Sequence, residues 1–593
     1  MFTLSLSTFR ERWPLFVGAI VTVVLGVALV QSSLLVLLSA TAHVEAITLV
    51  SMTLGIAAFL AVFIVSSTFA FTIAQRRRDL ALLRLVGGSR RQLRRLLLSE
   101  AFLLGLVGTA LGAPLGLVTM RVQAWLLTDL GFVPAPFPVR WHDWILAVSA
   151  GIGLGVSQLG VLAASRRASR VRPLEALRDN GDAARVMTPA RWFFGLLFLA
   201  GSIALAIVSR FAGPDGAIAL SVNVALTGAV ALSALSPLVV PPAARLFGLV
   251  LGRTPLGGLA RANLRDGVRR SASTAAPLLV LVALVVGMSG TLTTLSEAGH
   301  RRLADDLRGD FVVPSAVSPP LGATASTEYT VPVTIQSDDD SDEDEALVVD
   351  ESAYRQAHRL APLSGSLTDL HGLTVAGPGL TMGETLRMSV GGKDIRPRVV
   401  AVLPDDFSGG PAYLLPRELV PPEVLAQSPA RTIIDVAPGT DPAALPQPAS
   451  TVDEWITNTA TKQDTVNTGI MTVLMGLAGL YALVAVINAV VIAAAERKSE
   501  FAAARVTGLD RAQVVRMALL EAEVVAGTGV LLGLLAAAGS VAGLGSAVGL
   551  VVVPWTVAVL VAAGAFLVVG VTSVWTSLSA TRPAPVSLVG ARE

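Results

Sequence analysis

The sequence predicts a polytopic α-helical membrane protein. It has ten transmembrane helices, in two four-helix units and a linking pair, and one α+β extracytoplasmic domain. Three observations predict this. First, 53% of the 593 residues are hydrophobic and only 15% are charged, against ~25% charged in soluble chains; the mean hydropathy is +0.67. Second, the apolar residues gather into runs near the ~20 residues that ~30 Å of hydrocarbon requires. Third, one polar segment recurs at a constant offset further along the chain. The composition excludes a soluble enzyme, a disordered protein and a fibrous repeat.

The expected spans are 15–38, 47–74, 96–120, 143–164, 192–209, 217–241, 275–295, 468–495, 515–541 and 551–577. The first follows Arg10 and Arg12 and ends near Ala40-Thr41-Ala42, as a signal peptide would. It is longer than a signal core of ~7–15 residues, and a second span follows at once, so it reads as a span. Pro237, Pro241 and Pro242 set the expected end of the sixth. Arginine sets the orientation. The segment 75–95 holds Arg76, Arg77, Arg78, Arg84, Arg90, Arg91, Arg94 and Arg95; it and the basic segments 165–191 and 245–273 belong in the cytoplasm. The nearly neutral loops 39–46, 121–142 and 210–216 fall outside. Both termini are then cytoplasmic, and the chain is placed in the cell membrane.

The insert 296–467 carries 26 acidic and 12 basic residues, a net of −14; the remainder carries +16, and the total is +2. An acidic outer domain and a basic cytoplasmic face hide inside a near-neutral sum. Within the insert, 374–377, 386–390, 398–403 and 432–436 read as short strands, and Gly391-Gly392-Lys393-Asp394 as a hairpin turn. Asp338–Glu345 reads as a solvated, mobile loop, because blocks of like charge repel and it lacks the ligand spacing of a calcium loop. Residues 451–467 read as a helix continuing into the eighth span, a rigid stalk. Cysteine is absent, and the five histidines lack metal-ligand spacing. No disulfide and no metal site is expected.

Residues 74–101 align without gaps with 495–522. Eleven positions are identical, among them Arg76/Arg497, Arg84/Arg505, Gly87/Gly508, Arg90/Arg511, Gln92/Gln513 and Glu100/Glu521. The spacing has a physical reading. A helix leaves the membrane and ends at Gly87 or Gly508, suited to a left-handed C′ position. Ser89 or Asp510 then caps a new helix, with Gln92 or Gln513 three residues on, the spacing of a capping box. Glu100 and Glu521, just inside the returning helix, read as structural partners of arginine. A weaker match pairs 165–178 with 580–588, both basic tails with a proline step.

The run Arg76-Arg77-Arg78-Asp79-Leu80-Ala81-Leu82-Leu83-Arg84-Leu85-Val86-Gly87-Gly88-Ser89-Arg90-Arg91-Gln92 resembles the signature of FtsX-like permeases, the membrane subunits of MacB- and LolC-type (type VII) ABC transporters. The second copy resembles it more loosely, with Ser499 for Arg78 and Asp510 for Ser89. Ala260–Asp266 and Arg269–Thr274 are similar to the lead-in such permeases place before a span. The resemblance implies five parts: a first FtsX-like unit over 1–180, a linking pair over 181–258, a lead-in and seventh span over 259–295, an ectodomain over 296–467, and 468–593 completing the second unit. It also implies that two cytoplasmic elbows dock ATPase subunits, through Arg76, Arg77, Arg78, Arg84, Gly87, Ser89, Arg90 and Gln92, and through Arg497, Arg505, Gly508, Asp510, Arg511 and Gln513.

No phosphate-binding G-x-x-x-x-G-K-[ST] loop exists, and none of the three lysines (Lys393, Lys462, Lys498) has that context. No cofactor is expected in this chain; ATP and magnesium would be bound by the partner ATPases, two per chain on the two-elbow argument. Membrane lipids surround it, an extracytoplasmic substrate or accessory protein is implied, and nothing points to nucleic acid. The implied function is a non-catalytic permease that exports or extracts a peptide, lipid or hydrophobic substrate. The ten-span layout with one ectodomain is also similar to BceB-type permeases, which would make it a sensor of antimicrobial peptides that signals to a histidine kinase.

Overall fold

The computed structural model describes residues 13–40, 44–75, 80, 82–83, 85–168, 187–212, 214–251, 255–318, 322–336, 341–404, 411, 413–436 and 445–582. The helices in chain order are α1 (Trp13–Ser39), α2 (Val44–Gln75), α3 (Arg90–Asp129), α4 (Asp143–Ala168), α5 (Pro189–Val208), α6 (Pro214–Leu251), α7 (Pro255–Asp266), α8 (Val268–Asp306), α9 (Glu351–Ala357), α10 (Pro422–Gln427), α11 (Val452–Glu496), α12 (Lys498–Val506), α13 (Arg511–Val548) and α14 (Trp555–Ala580). Among the described residues nine helices are long and apolar enough to cross a membrane. The expected eighth span lies in α11. It counts as a tenth only together with α12, from which it is bent by 49°.

The membrane part repeats itself. The pairs α1–α3, α1–α2, α3–α4, α2–α4 and α1–α4 pack together, and so do α8–α13, α8–α11, α13–α14, α11–α14 and α8–α14. In each set two glycines one turn apart bring a helix pair close together. A Cβ on Gly108 would stand 2.5 Å from Val23, and one on Gly112 would stand 2.8 Å from the Val24 carbonyl. Their counterparts at the same offset, Gly529 and Gly533, would meet the Ala275 carbonyl at 2.9 Å and Val282 at 2.5 Å. Small residues let backbones approach where lipid gives no hydrophobic drive to associate. Helix α5 packs on α6, and α6 lies against α8 and α13. The two sets meet through α11, where Tyr481 is buried beside Leu60 and Ala61 and Asn488 donates to Thr68 Oγ1 at 3.3 Å.

Two boundaries depart from expectation. Helix α3 extends to Asp129, well past 120. Helix α6 runs through Pro237, Pro241 and Pro242 to Leu251 instead of ending there. A proline removes one donor, but in hydrocarbon a broken helix would expose several unpaired groups.

Helices α8 and α11 outrun the bilayer. Their 39 and 45 residues span about 58 Å and about 68 Å at ~1.5 Å per residue. The helix expected over 451–467 is the first part of α11, started by a capping box of Thr451 and Glu454. Between the two stalks lies a mixed sheet of β1 (Phe311–Val313), β2 (Thr324–Gln336), β3 (Ser341–Val349), β4 (Ser364–Gly365), β5 (Thr374–Pro378), β6 (Met388–Val390), β7 (Lys393–Ile395), β8 (Arg398–Leu403), β9 (Tyr413–Pro416), β10 (Ala430–Asp435) and β11 (Ser450–Thr451). Its order is β11-β1-β10-β2-β3-β9-β5-β8-β4, with β6 joined to β2 and β7. β1 follows α8, and β11 precedes α11, so both stalks enter one edge of the sheet. Alternation buries both faces: Ala346 and Val348 of β3 enter one apolar cluster, Leu347 and Val349 the other.

The acidic run is a correction. Asp342 to Glu345 are strand residues of β3, in register with Ile335 to Pro332 of β2; Asp338–Asp340 lie outside the described residues. The buried Ala346–Val349 directly behind the charges fixes the register and carries the acidic half along with it. The strands expected at 374–377, 386–390, 398–403 and 432–436 coincide with β5, β6, β8 and β10. Gly391 and Gly392, at φ 59° and 77°, form the two-residue turn between β6 and β7.

Candidate functional site

The two elbows share one backbone. In the first, the Gly88 amide donates to the Leu83 carbonyl at 3.0 Å, and Gly87 sits at φ 99°. In the second, the Leu509 amide donates to the Ala504 carbonyl at 3.1 Å, and Gly508 sits at φ 106°. Each is the six-to-one closure of a Schellman turn, which needs a left-handed residue. The caps match as well. Gln92 N–H donates to Ser89 Oγ at 3.2 Å and Ser89 N–H to Gln92 Oε1 at 2.8 Å. Gln513 N–H donates to Asp510 Oδ1 at 2.6 Å and Asp510 N–H to Gln513 Oε1 at 3.0 Å. Ser89→Ala is therefore expected to cost about 1 kcal/mol, read as lowered hydrogen-exchange protection of the first turn of α3.

Buried anchors repeat too, beyond what the identities showed. Leu80 packs with Leu93 and Leu97; their counterparts at the same offset, Phe501, Val514 and Ala518, pack together. A change of residue type at all three positions hid this correspondence from residue matching.

The predicted docking residues divide into three sets. Arg76, Arg77, Arg78 and Arg84 lie outside the described residues, as does the weak second match beyond Ala168 and Arg582. Gly87, Ser89, Arg90, Gln92, Gly508, Asp510 and Gln513 are exposed on the elbows or half-shape their surface. Arg497, Arg505 and Arg511 instead bond to other elements, although Arg511 stays exposed. Arg497 is buried; its guanidinium reaches Glu521 at 2.6 Å and Glu500 at 3.0 Å and lies 4.8 Å over the Phe501 ring. Asn263 of α7 donates to the same Glu521 at 2.7 Å, and Arg270 of α8 reaches Glu500 at 3.2 Å. Arg505 donates to the Thr581 carbonyl at 3.0 Å, and Arg511 to Thr581 Oγ1 at 3.2 Å and the Leu578 carbonyl at 2.8 Å. Those groups end α14, where unpaired carbonyls and the helix dipole favour a cation. Together these contacts tie the second elbow to α8, α13 and α14, with α7 joined through Asn263. Nothing in local sequence places α14 beside α12, so this role was invisible there.

Beside these polar groups, the elbow tips also offer apolar side chains to solvent. Val86 is 90% exposed at the first tip, with Leu82 and Leu83 at 45% and Leu85 at 47%; Val506 is 60% exposed at the second. Such side chains are a surface ready to be covered. Among the described residues no three of His, Cys, Asp or Glu are gathered as metal ligands would be.

A family model described as FtsX-like permease C-terminal matches the chain twice, at residues 51–173 and 472–585. The matches begin at the same offset as the repeat, and each contains one elbow. The chain thus carries two FtsX-like permease regions. It is 26% identical over 305 residues to an uncharacterized ABC transporter permease protein of Mycobacterium tuberculosis, covering 49% of this chain and 34% of that protein. The chain thus spans about a third of the length of this curated relative. A solved domain of a Porphyromonas gingivalis permease protein aligns over 24% of this chain and 73% of its own, at 19% identity and a TM-score of 0.18. That similarity is too low to carry a fold argument. With two FtsX-like permease matches and nine apolar helices among the described residues, this is a multi-pass membrane protein.

Proposed function

We propose that this permease couples ATP hydrolysis by separate cytoplasmic subunits to movement of its ectodomain, for export or extraction of a peptide, lipid or hydrophobic substrate. Each elbow docks one ATPase, two per chain, and ATP and magnesium stay with those subunits. Both termini are cytoplasmic and the sheet domain is outside. The two four-helix units are 1–180 and 259–295 with 468–593.

One observation carries the reading: α11 is a continuous helix from the base of the sheet at Val452 to Glu496, immediately before the second elbow. A push on that elbow is delivered along a rigid element to the ectodomain. The first elbow reaches the same helix through α2, which packs on α11. Exposed apolar tips supply the contact, and the arginine contacts to α13 and α14 keep the second elbow from bending under load.

Co-purification tests this. The chain expressed with its ATPase and extracted in mild detergent is expected to retain it; a chain that never retains an ATPase contradicts the reading.

A further inference from the structure

Where the stalks meet the sheet, a buried charge cluster stands apart from the elbows. Asp306 is the last residue of α8, Glu328 lies on β2, Arg431 on β10, His358 directly after α9, and Trp455 in the first turn of α11. The side chains of His358 and Glu328 are 4% and 0% exposed. His358 Nδ1 is 2.5 Å from Asp306 Oδ2, and its Nε2 is 2.6 Å from Glu328 Oε1. Arg431 Nε donates to Glu328 Oε2 at 2.7 Å, and its guanidinium lies 5.1 Å over the Trp455 ring. The Tyr354 ring stacks on His358 at 4.0 Å. Backbone bonds clip the same joint, from Arg308 N–H to the Ala357 carbonyl and from Arg359 N–H to the Asp306 carbonyl.

The geometry sets the protonation. A neutral imidazole has one N–H, and ionised carboxylates only accept. Both ring contacts are hydrogen bonds together only when the ring holds two protons. Then His358 and Arg431 balance Asp306 and Glu328, and the cluster is neutral. Removing one proton leaves a buried negative charge and one acceptor facing another, which is costly where water cannot compensate.

We propose that His358 is a proton-operated latch joining the ectodomain sheet to the α8 stalk, closed when the ring is doubly protonated and opened when it loses a proton. The groups facing the ring are Asp306 from α8, Glu328 from β2 and Tyr354 from α9, with Arg431 of β10 behind Glu328; α11 contributes the Trp455 indole. Burial pushes the imidazole pKa down, but the hydrogen bonds from Asp306 and Glu328 more than reverse this, and it lies above the ordinary 6.5. Burial likewise pushes the Glu328 carboxyl up, and the His358 hydrogen bond and the Arg431 charge bring it below its ordinary value. A raised histidine contributes stability that is complete below about 6.5 and is lost as pH rises through the raised value. The latch is therefore closed in acid and opens on the alkaline side.

The absence of cysteine makes the test clean. Spin labels on Arg301→Cys, at an exposed position of α8, and Lys393→Cys, on exposed β7, report stalk-to-sheet distance in the full chain in lipid nanodiscs. As pH rises from about 5 through and beyond the range in which an unperturbed histidine titrates, one narrow distance is expected to broaden with a midpoint above the ordinary 6.5. His358→Gln is expected to be broad throughout. Asp306→Asn needs only one ring N–H and is expected to stay narrow throughout. A parent chain that never broadens, or an Asp306→Asn chain that broadens at the parent's midpoint, overturns the proposal. That pair decides it even if His358→Gln does not fold.

Discussion

Leu82→Asp combined with Val86→Asp is expected to abolish ATPase retention by the first elbow while leaving the permease folded. Both side chains stand in solvent, Val86 at 90% exposure, so a carboxylate there meets water and the fold loses nothing. In a docked complex the same positions are desolvated apolar contacts. An interface anchor of this kind is worth about 2 kcal/mol or more, so the pair should weaken binding at least ~30-fold. Binding of purified ATPase to immobilised permease reads this directly. Leu80→Asp is the contrasting change. Leu80 is buried against Leu93 and Leu97, so its replacement is expected to lower thermal stability first and docking only as a consequence. If the exposed pair binds ATPase as the parent does, the tip is not the contact.

Arg497→Ala is expected to have the largest effect on stability. It leaves Glu521, itself buried, with the Asn263 amide but without its guanidinium, and removing one member of a buried pair costs about 3–5 kcal/mol. Arg497→Met together with Glu521→Leu removes both charges and keeps the volume filled, so it should cost much less than the single change. Thermal unfolding in one fixed detergent compares the three. A single change no worse than the double would mean the pair is not what holds the elbow to α13.

Much of this was legible in the sequence because it is local. Gly87, Gly508 and the Ser89–Gln92 and Asp510–Gln513 spacings name a turn and a cap through chemistry within four residues, and the structure has both. Apolar length names the spans for the same reason. Three features were not legible. The pairing of Arg497, Arg505 and Arg511 depends on Glu521, Leu578 and Thr581, which the fold brings to them. Strand β3 was obscured because a charge run was weighed without the Ala346–Val349 that follows it. The Asp306–Glu328–His358 cluster joins three elements, and its members carry no motif. A solitary histidine in sequence reads as neutral background until two carboxylates are seen on its two nitrogens.

The central claim is that each of the two elbows carries an ATPase. The most direct measurement is the native mass of the complex, co-expressed with its ATPase and released from mild detergent. The expected mass is one permease with two ATPase subunits, falling to one when Leu82 and Val86 are changed. A complex without ATPase, or one that keeps both subunits after that change, would contradict it.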